Sequence, residues 1–317
     1  MKILFTIRNS AKSRLLFLLF LLLPSSAVLA CDICGCGVGS YYIGLLPEFR
    51  KRFVGIRYQH KALQSHLRPG GGTSYLTADE TYQVAELWTG WNIGKRFRVM
   101  GFLPYNFNER SNQGDKGSLQ GLGDVAVSGY YKLFDQRKAV SGDRLLVHSL
   151  WLGTSLKLPT GHYDPGEEES AKGSLNTFQL GSGSVDMSLL AAYDIRIQDL
   201  GLNCNLSYKM NTENGDGYRY GNKFTANMLA YYKIRPKQEW VFAPNAGVLF
   251  ETSAKDAKNG SLLYESGGHS LMGVAGLEAS FGRWGLGGNY QLPLEQSLGG
   301  GTVKAGNRWL LQMSFSF

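Results

Sequence analysis

From about residue 53 to the C-terminus the chain alternates apolar and polar residues with a period of two, and the connections between its alternating segments are by turns long and short. About twelve such segments run roughly over 53–66, 80–94, 96–111, 122–134, 144–159, 177–196, 199–212, 218–233, 238–254, 267–281, 283–296 and 306–317. Most span 12–16 residues, well beyond the 5–6 usual in water-soluble sheets but suited to tilted strands that cross a bilayer. The gaps fix the class. Polar stretches at 67–79, 112–121, 160–176 and 254–266 alternate with tight connections such as Ile93-Gly94-Lys95-Arg96, Gln198-Asp199-Leu200 and Gly282-Arg283. A transmembrane barrel has short turns on one side and long loops on the other, whereas a β-sandwich has no need of loop lengths in step with strand parity. The expected fold is therefore all-β: a transmembrane antiparallel β-barrel of about twelve strands over residues 53–317. An even count places both chain ends on the short-turn, periplasmic side.

Individual segments show the two faces. Trp309, Leu311, Met313, Phe315 and Phe317 share one side of the last segment, with Arg308, Gln312 and Ser314 on the other. Val125, Val127, Tyr131 and Leu133 likewise alternate with Asp124, Ser128, Tyr130 and Lys132. The apolar set is read as facing lipid. Trp91, Trp240 and Trp284 lie beside short turns and Trp309 nearer a long loop, as expected of rings that concentrate at bilayer interfaces. The composition agrees: 41 Gly and 12% aromatic residues suit strands and tight turns better than helices.

The N-terminus reads as an export signal. Lys2, Arg8, Lys12 and Arg14 precede an apolar run from Leu15 to Leu23, and Ser25 to Ala30 forms a small-residue cleavage region. Residues 1–30 are therefore expected to be a signal peptide. Removing them takes away four positive charges and lowers the net charge from +8 to +4. With no basic stripe and an exported chain, nucleic acid is excluded as a partner.

The run Gly121-Leu122-Gly123-Asp124-Val125-Ala126-Val127-Ser128-Gly129-Tyr130-Tyr131-Lys132-Leu133 is followed by Leu156-Lys157-Leu158-Pro159-Thr160-Gly161. Together they resemble the outer-membrane transporter family named for the meta-pathway of phenol degradation. The resemblance is loose over 53–317 and specific over about 119–161. It implies a Gram-negative outer-membrane barrel that moves small, often aromatic or hydrophobic, compounds. The terminal aromatic alternation, with Phe315 and Phe317, resembles the signal by which barrels engage the assembly machinery.

On the inward face both signs of charge collect: Arg57, Glu86, Arg98, Asp124, Lys132, Lys157, Asp186, Lys209, Glu251 and Arg308, with Lys61, Asp194, Lys233 and Glu278. At mid-membrane a charge facing lipid costs about 2–4 kcal/mol, so these should face the lumen. They are read as lining a polar conduit with a selective constriction, or as a salt-bridge network filling the barrel. Catalysis is not expected. His148-Ser149 are adjacent in a strand and point to opposite faces, so they cannot form a nucleophile–base pair. No G-x-S-x-G occurs, the five His are scattered, and Asp164 with Glu167-Glu168-Glu169 reads as a solvated outer-loop tip.

The segment from 31 to 52 is the departure. Cys31-x-x-Cys34-x-Cys36 stands at the expected cleavage point, before Gly-rich and aromatic residues. Three readings stay open: Cys31 is lipidated at an imperfect lipobox, the three thiols bind a soft metal such as Cu(I) or Zn(II), or two of them form a disulfide. No other cofactor is expected. Cys204 falls on the lipid side of its segment. Tyr41, Tyr42, Ile43, Leu45 and Leu46 are too apolar to hang in water, and the segment is expected to act as a plug or periplasmic lid. The partners implied are outer-membrane lipid, the barrel-assembly machinery and a small solute. The leading function is solute passage; the alternative is a filled, structural or metal-handling barrel whose working part is the cysteine segment.

Overall fold

A computed structural model describes residues 52–68, 70–140, 144–170, 176–237 and 239–317. The expectations for the signal peptide and for Cys31, Cys34 and Cys36 lie outside these residues. Twelve long strands follow one another: β1 (Phe53–Ser65), β2 (Ala78–Ile93), β3 (Phe97–Asn112), β4 (Ala126–Val140), β5 (Arg144–Lys157) and β6 (Asp186–Ile197). The second half comprises β7 (Leu200–Met210), β8 (Lys223–Tyr232), β9 (Trp240–Ser253), β10 (Gly268–Phe281), β11 (Trp284–Leu298) and β12 (Lys304–Ser316). Each pairs antiparallel with the next, and β1 pairs with β12, beginning at Phe53 opposite Ser316. The sheet thus closes as an up-and-down barrel, the one β-architecture that leaves no open edge in hydrocarbon.

Closure follows from the two-residue period. Ile56, Leu87 and Leu103 are neighbours across β1, β2 and β3 and all point outward, 54%, 48% and 40% exposed. One position along, Arg57 and Glu86 pair across the same strands and are buried inside. Such a surface, apolar without and charged within, is stable only against lipid. No helix among the described residues is long and apolar enough to cross a membrane. Tight turns at the β2–β3 and β10–β11 connections use Gly94 and Gly282 at φ 66° and 60°, which only glycine adopts without strain.

At the short-turn end the rings form a belt. Trp91 packs against Phe317 at 5.9 Å, Trp284 against Phe315 at 4.9 Å and Trp240 against Phe281 at 5.0 Å. Arg52 lies over Trp91 and Lys237 over Trp240, the cations reaching for the headgroup layer. Trp309 instead stacks on His60 further up the wall.

Three boundaries differ from the sequence expectation. The segment expected as a strand over 177–196 is strand only from Asp186; residues 176–182 are buried inside the barrel without strand pairing. The segment expected at 122–134 begins at Ala126 and continues to Val140, while Asp115–Leu122 forms a separate hairpin arm on the outer half of β3. Tyr218–Arg219 leave the wall and join Ala257–Lys258 and Ser261–Leu262 in a small outer-loop sheet. Residues 176–182 are held instead by side chains of β3, and Tyr218–Arg219 by the backbone of Ala257–Lys258, whereas Asp115–Leu122 folds back as a hairpin on the adjacent end of β3.

Candidate functional site: the lumen and its crossing loop

The long connection between β5 and β6 does not stay outside. Its middle, Asn176 to Ser182, is buried in the outer mouth of the barrel. Phe178 packs with Leu63, Tyr82, Leu298, Val303 and Ala305, which belong to β1, β2, β11, β12 and the loop before β12. Those strands lie opposite β5 and β6 in a ring of twelve, so the loop crosses the mouth from one wall to the other. The Arg110 guanidinium covers the other face of the Phe178 ring at 4.2 Å.

A buried loop must find partners for its backbone, and strand side chains supply them. Asn106 Nδ2 donates to the Leu180 carbonyl and Asn108 Nδ2 to the Gln179 carbonyl, both at 3.0 Å. Glu80, buried in β2, accepts from Ser65 Oγ at 2.8 Å, Thr177 Oγ1 at 3.0 Å, Arg110 Nε at 3.2 Å and the Tyr82 hydroxyl. From the next outer loop, Asn214 Nδ2 donates to the Ser182 carbonyl and Tyr220 to the Asn176 carbonyl.

The two motifs singled out in the sequence meet at the root of this crossing. Asp124 accepts from the Gly161 and Ser182 amides at 3.0 and 2.9 Å and from Lys157 Nζ at 2.6 Å. Thr160 Oγ1 donates to the Gly123 carbonyl and accepts from the Val125 amide. Lys157 also pairs with Asp186 at 2.8 Å, and Asp186 with Lys209 at 3.3 Å. All four charged side chains are nearly sealed from solvent, with two positive and two negative groups in one chain. Buried ions are tolerated only when paired in this way.

Deeper in the lumen, Arg57 pairs with Glu86 at 3.2 Å and lies over Trp88 at 4.5 Å. Glu251 is held between Arg308 at 2.5 Å and Lys223 at 3.1 Å. Lys61 is an electrostatic neighbour of both carboxylates and so links the two pairs. At the short-turn end Arg98 lies over Phe53, Lys132 pairs with Asp135, and Asp194 accepts from Tyr231. The ten charged positions expected in the lumen therefore fall into three groups rather than one ring. Glu80, Tyr82, Asn106, Asn108 and Gln179 were not singled out from the sequence. Asn106 and Asn108 carry a usable signal, since they share lumen parity with Arg98 in β3.

Among the described residues no group of three or more His, Cys, Asp or Glu could hold a metal ion. Glu167 is not a free tip: it pairs with Arg110 at 3.2 Å, and Asp164 is tied to Gln179 through its backbone amide and carbonyl. His148 packs between the rings of Phe134 and Tyr193. Cys204 sits half-buried in β7, on the side of the outward-facing Leu206 and Tyr208.

Comparison with solved structures agrees with this architecture. A crystal structure of an outer membrane channel from Pseudomonas putida F1 matches with a TM-score of 0.57 at 15% identity, covering 84% of this chain and 96% of that one. The β domain of the Bordetella autotransporter BrkA matches with a TM-score of 0.48 at 13% identity, covering 84% and 100%. No curated protein sequence matches the chain. Residues 59–297 match the family described as the MetA-pathway of phenol degradation. That span covers about three quarters of the chain and includes both motifs of the latch at Asp124, so this outer-membrane β-barrel belongs to that family.

Proposed function

We propose that the barrel passes small aromatic or hydrophobic solutes across the outer membrane, with the crossing loop as its constriction and the lumen charges as its selectivity element. The observation that carries this reading is the path of residues 176–182 from one wall of the mouth to the other. A loop that only sealed the barrel could do so with apolar packing. Here it is fastened by exchangeable hydrogen bonds and ion pairs, from which a narrow, polar-rimmed passage is built. Lys157, Asp124, Asp186 and Lys209 fasten the loop at the outer end of the path and so set its width. Arg57, Glu86, Glu251 and Arg308 follow, with Arg98 and Lys132 at the exit. Tyr82, Phe178 and Trp88 are buried behind these charges and brace them.

The segment 31–52, in this reading, is a plug or lid at the periplasmic mouth, delivered by removal of the signal peptide 1–30. Its cysteines are fixed there by acylation of Cys31, by a disulfide or by a soft metal held on Cys31, Cys34 and Cys36. Planar-bilayer conductance and liposome uptake of aromatic acids test the function. A conducting protein whose ion preference changes when Arg98 or Lys157 is neutralised is the expected result. Absence of both conductance and uptake would overturn it. Deleting residues 37–48 should raise conductance, and unchanged conductance removes the plug. Mass spectrometry of the mature N-terminus decides among the three cysteine chemistries.

A further inference from the structure

The pairing of β4 with β5 slips by one residue between Lys132 and Phe134, so that Leu133 is left without a partner across the ladder. Such a bulge bends its strand and re-aims the side chains on either side. On its other edge β4 loses β3 at the same level: the last β3 pairing is Phe97 with Tyr131, and the Lys132 amide then donates to the Arg96 carbonyl in the β2–β3 turn. Beyond that point the β3-facing edge of β4 has no further strand pairing, while β5 stays paired with β6 as far as Leu146 opposite Ile197. The bend and the short turn leave between them a half-open cavity of about 590 Å³ at the periplasmic rim.

Its lining combines two chemistries. Phe97, Leu133, Phe134 and Trp151 give an apolar wall, and Lys95, Arg96 and Lys132 bring three cations to it. Asp135 supplies one carboxylate, 3.2 Å from Lys132 Nζ. Lys132 is also held 4.7 Å above the Trp151 ring, so its ammonium is fixed over the apolar floor rather than free in solvent. The Arg96 guanidinium is steadied by donating to the Tyr131 hydroxyl at 3.0 Å. The positive excess, set beside a wall of rings, matches one ligand chemistry: a monoanionic head on an apolar body.

We infer that this rim cavity is a binding site for an amphiphilic anion, in which Arg96 and Lys132 hold the carboxylate or phosphate and Phe97, Phe134 and Trp151 receive the apolar part. Lys132 also borders the lumen exit, but Arg96 and Phe134 do not, so occupation of the site is separable from solute passage, and it can come from two sources. One is a soluble aromatic acid in the periplasm; the other is an anionic phospholipid of the inner leaflet, whose headgroups lie at this level beside the Trp91 belt.

The test uses the full-length protein in detergent and 4-fluorobenzoate as probe, read by fluorine NMR line broadening, with 4-fluorobenzyl alcohol as the neutral control. The acid should broaden and the alcohol should not. Arg96→Gln and Lys132→Gln should each weaken the acid about tenfold, the loss expected on removing one charge-assisted contact. Heat-dependent gel mobility certifies that each variant is folded, and Arg96, on an exposed turn, provides a variant that leaves the wall intact. Equal binding of acid and alcohol, or unaltered binding in folded Arg96→Gln, overturns the site. In vesicles of phosphatidylcholine with and without phosphatidylglycerol, displacement of the acid by phosphatidylglycerol identifies the lipid as occupant. Undiminished acid binding assigns the site to the soluble anion. Conductance is measured separately, so loss of this site and loss of the channel are distinct results.

Discussion

Gly161 and Gly181 pass so closely that a Cβ on Gly181 would stand 2.5 Å from the Gly161 carbonyl oxygen. The approach joins the outgoing and returning limbs of the crossing loop beside Asp124, whose Oδ1 would lie 2.6 Å from the same added carbon. Backbone on one side and a fully bonded carboxylate on the other leave nothing soft to yield. Gly181→Ala should therefore prise the loop from its latch, at a cost of about 1–3 kcal/mol. Its expected signature is higher single-channel conductance and new protease cutting within 158–185, with heat-dependent gel mobility retained. Wild-type conductance and protection would show that the loop's place does not rest on this contact.

Lys157 is the hinge of the latch in electrostatic terms. It is shared between Asp124 at 2.6 Å and Asp186 at 2.8 Å, and its removal leaves the Asp124 carboxylate buried without a cation. Breaking a buried pair from one side costs about 3–5 kcal/mol, much of it the stranded charge. Lys157→Met should lower stability to urea by that order in a detergent-folded barrel. Adding Asp124→Asn should restore part of the loss, because Asp186 keeps Lys209. Additive losses in the double variant would show that the two residues are not coupled.

Leu87 faces outward in β2 between Ile56 and Leu103. An arginine there would sit in hydrocarbon at a cost of about 2–4 kcal/mol. Leu87→Arg should reduce the folded, heat-modifiable fraction in lipid vesicles, whereas Leu262→Arg, in an exposed outer-loop hairpin, should not. Equal effects of the two substitutions would contradict the assigned membrane face.

Phe317 donates its amide to the Arg52 carbonyl and packs its ring on Trp91. The residue thus helps to close the barrel seam between β1 and β12 in addition to carrying the expected assembly signal. Deleting it should cut the amount of folded barrel in the outer membrane severalfold. The effect on refolding into detergent should be small, since a signal is needed only by the machinery. Loss of refolding in both settings would assign Phe317 to seam closure alone.

Much of this molecule is written locally. The period of two assigned Arg57, Glu86, Arg98, Lys157, Glu251 and Arg308 to the inside because successive residues of a strand must face opposite ways, whatever they pair with. The twelve strands likewise follow the expected segments apart from their ends. The loop from Asn176 to Ser182 escaped that logic. Thr177, Gln179 and Gly181 alternate with Phe178, Leu180 and Ser182 much as a strand would, yet their backbone groups are satisfied by Asn106, Asn108 and Asp124, as many as 74 residues away. No local pattern records a partner that far off. The sequence by itself therefore determined the barrel and its two faces, since those depend on backbone pleat and on the cost of charge in lipid. Only the tertiary structure decided that the mouth is crossed, that Phe178 reaches the opposite wall, and that the conspicuous Gly-Asp and Pro-Thr-Gly motifs are the two halves of one latch. Those outcomes depend on which distant side chains meet once the ring of strands has closed.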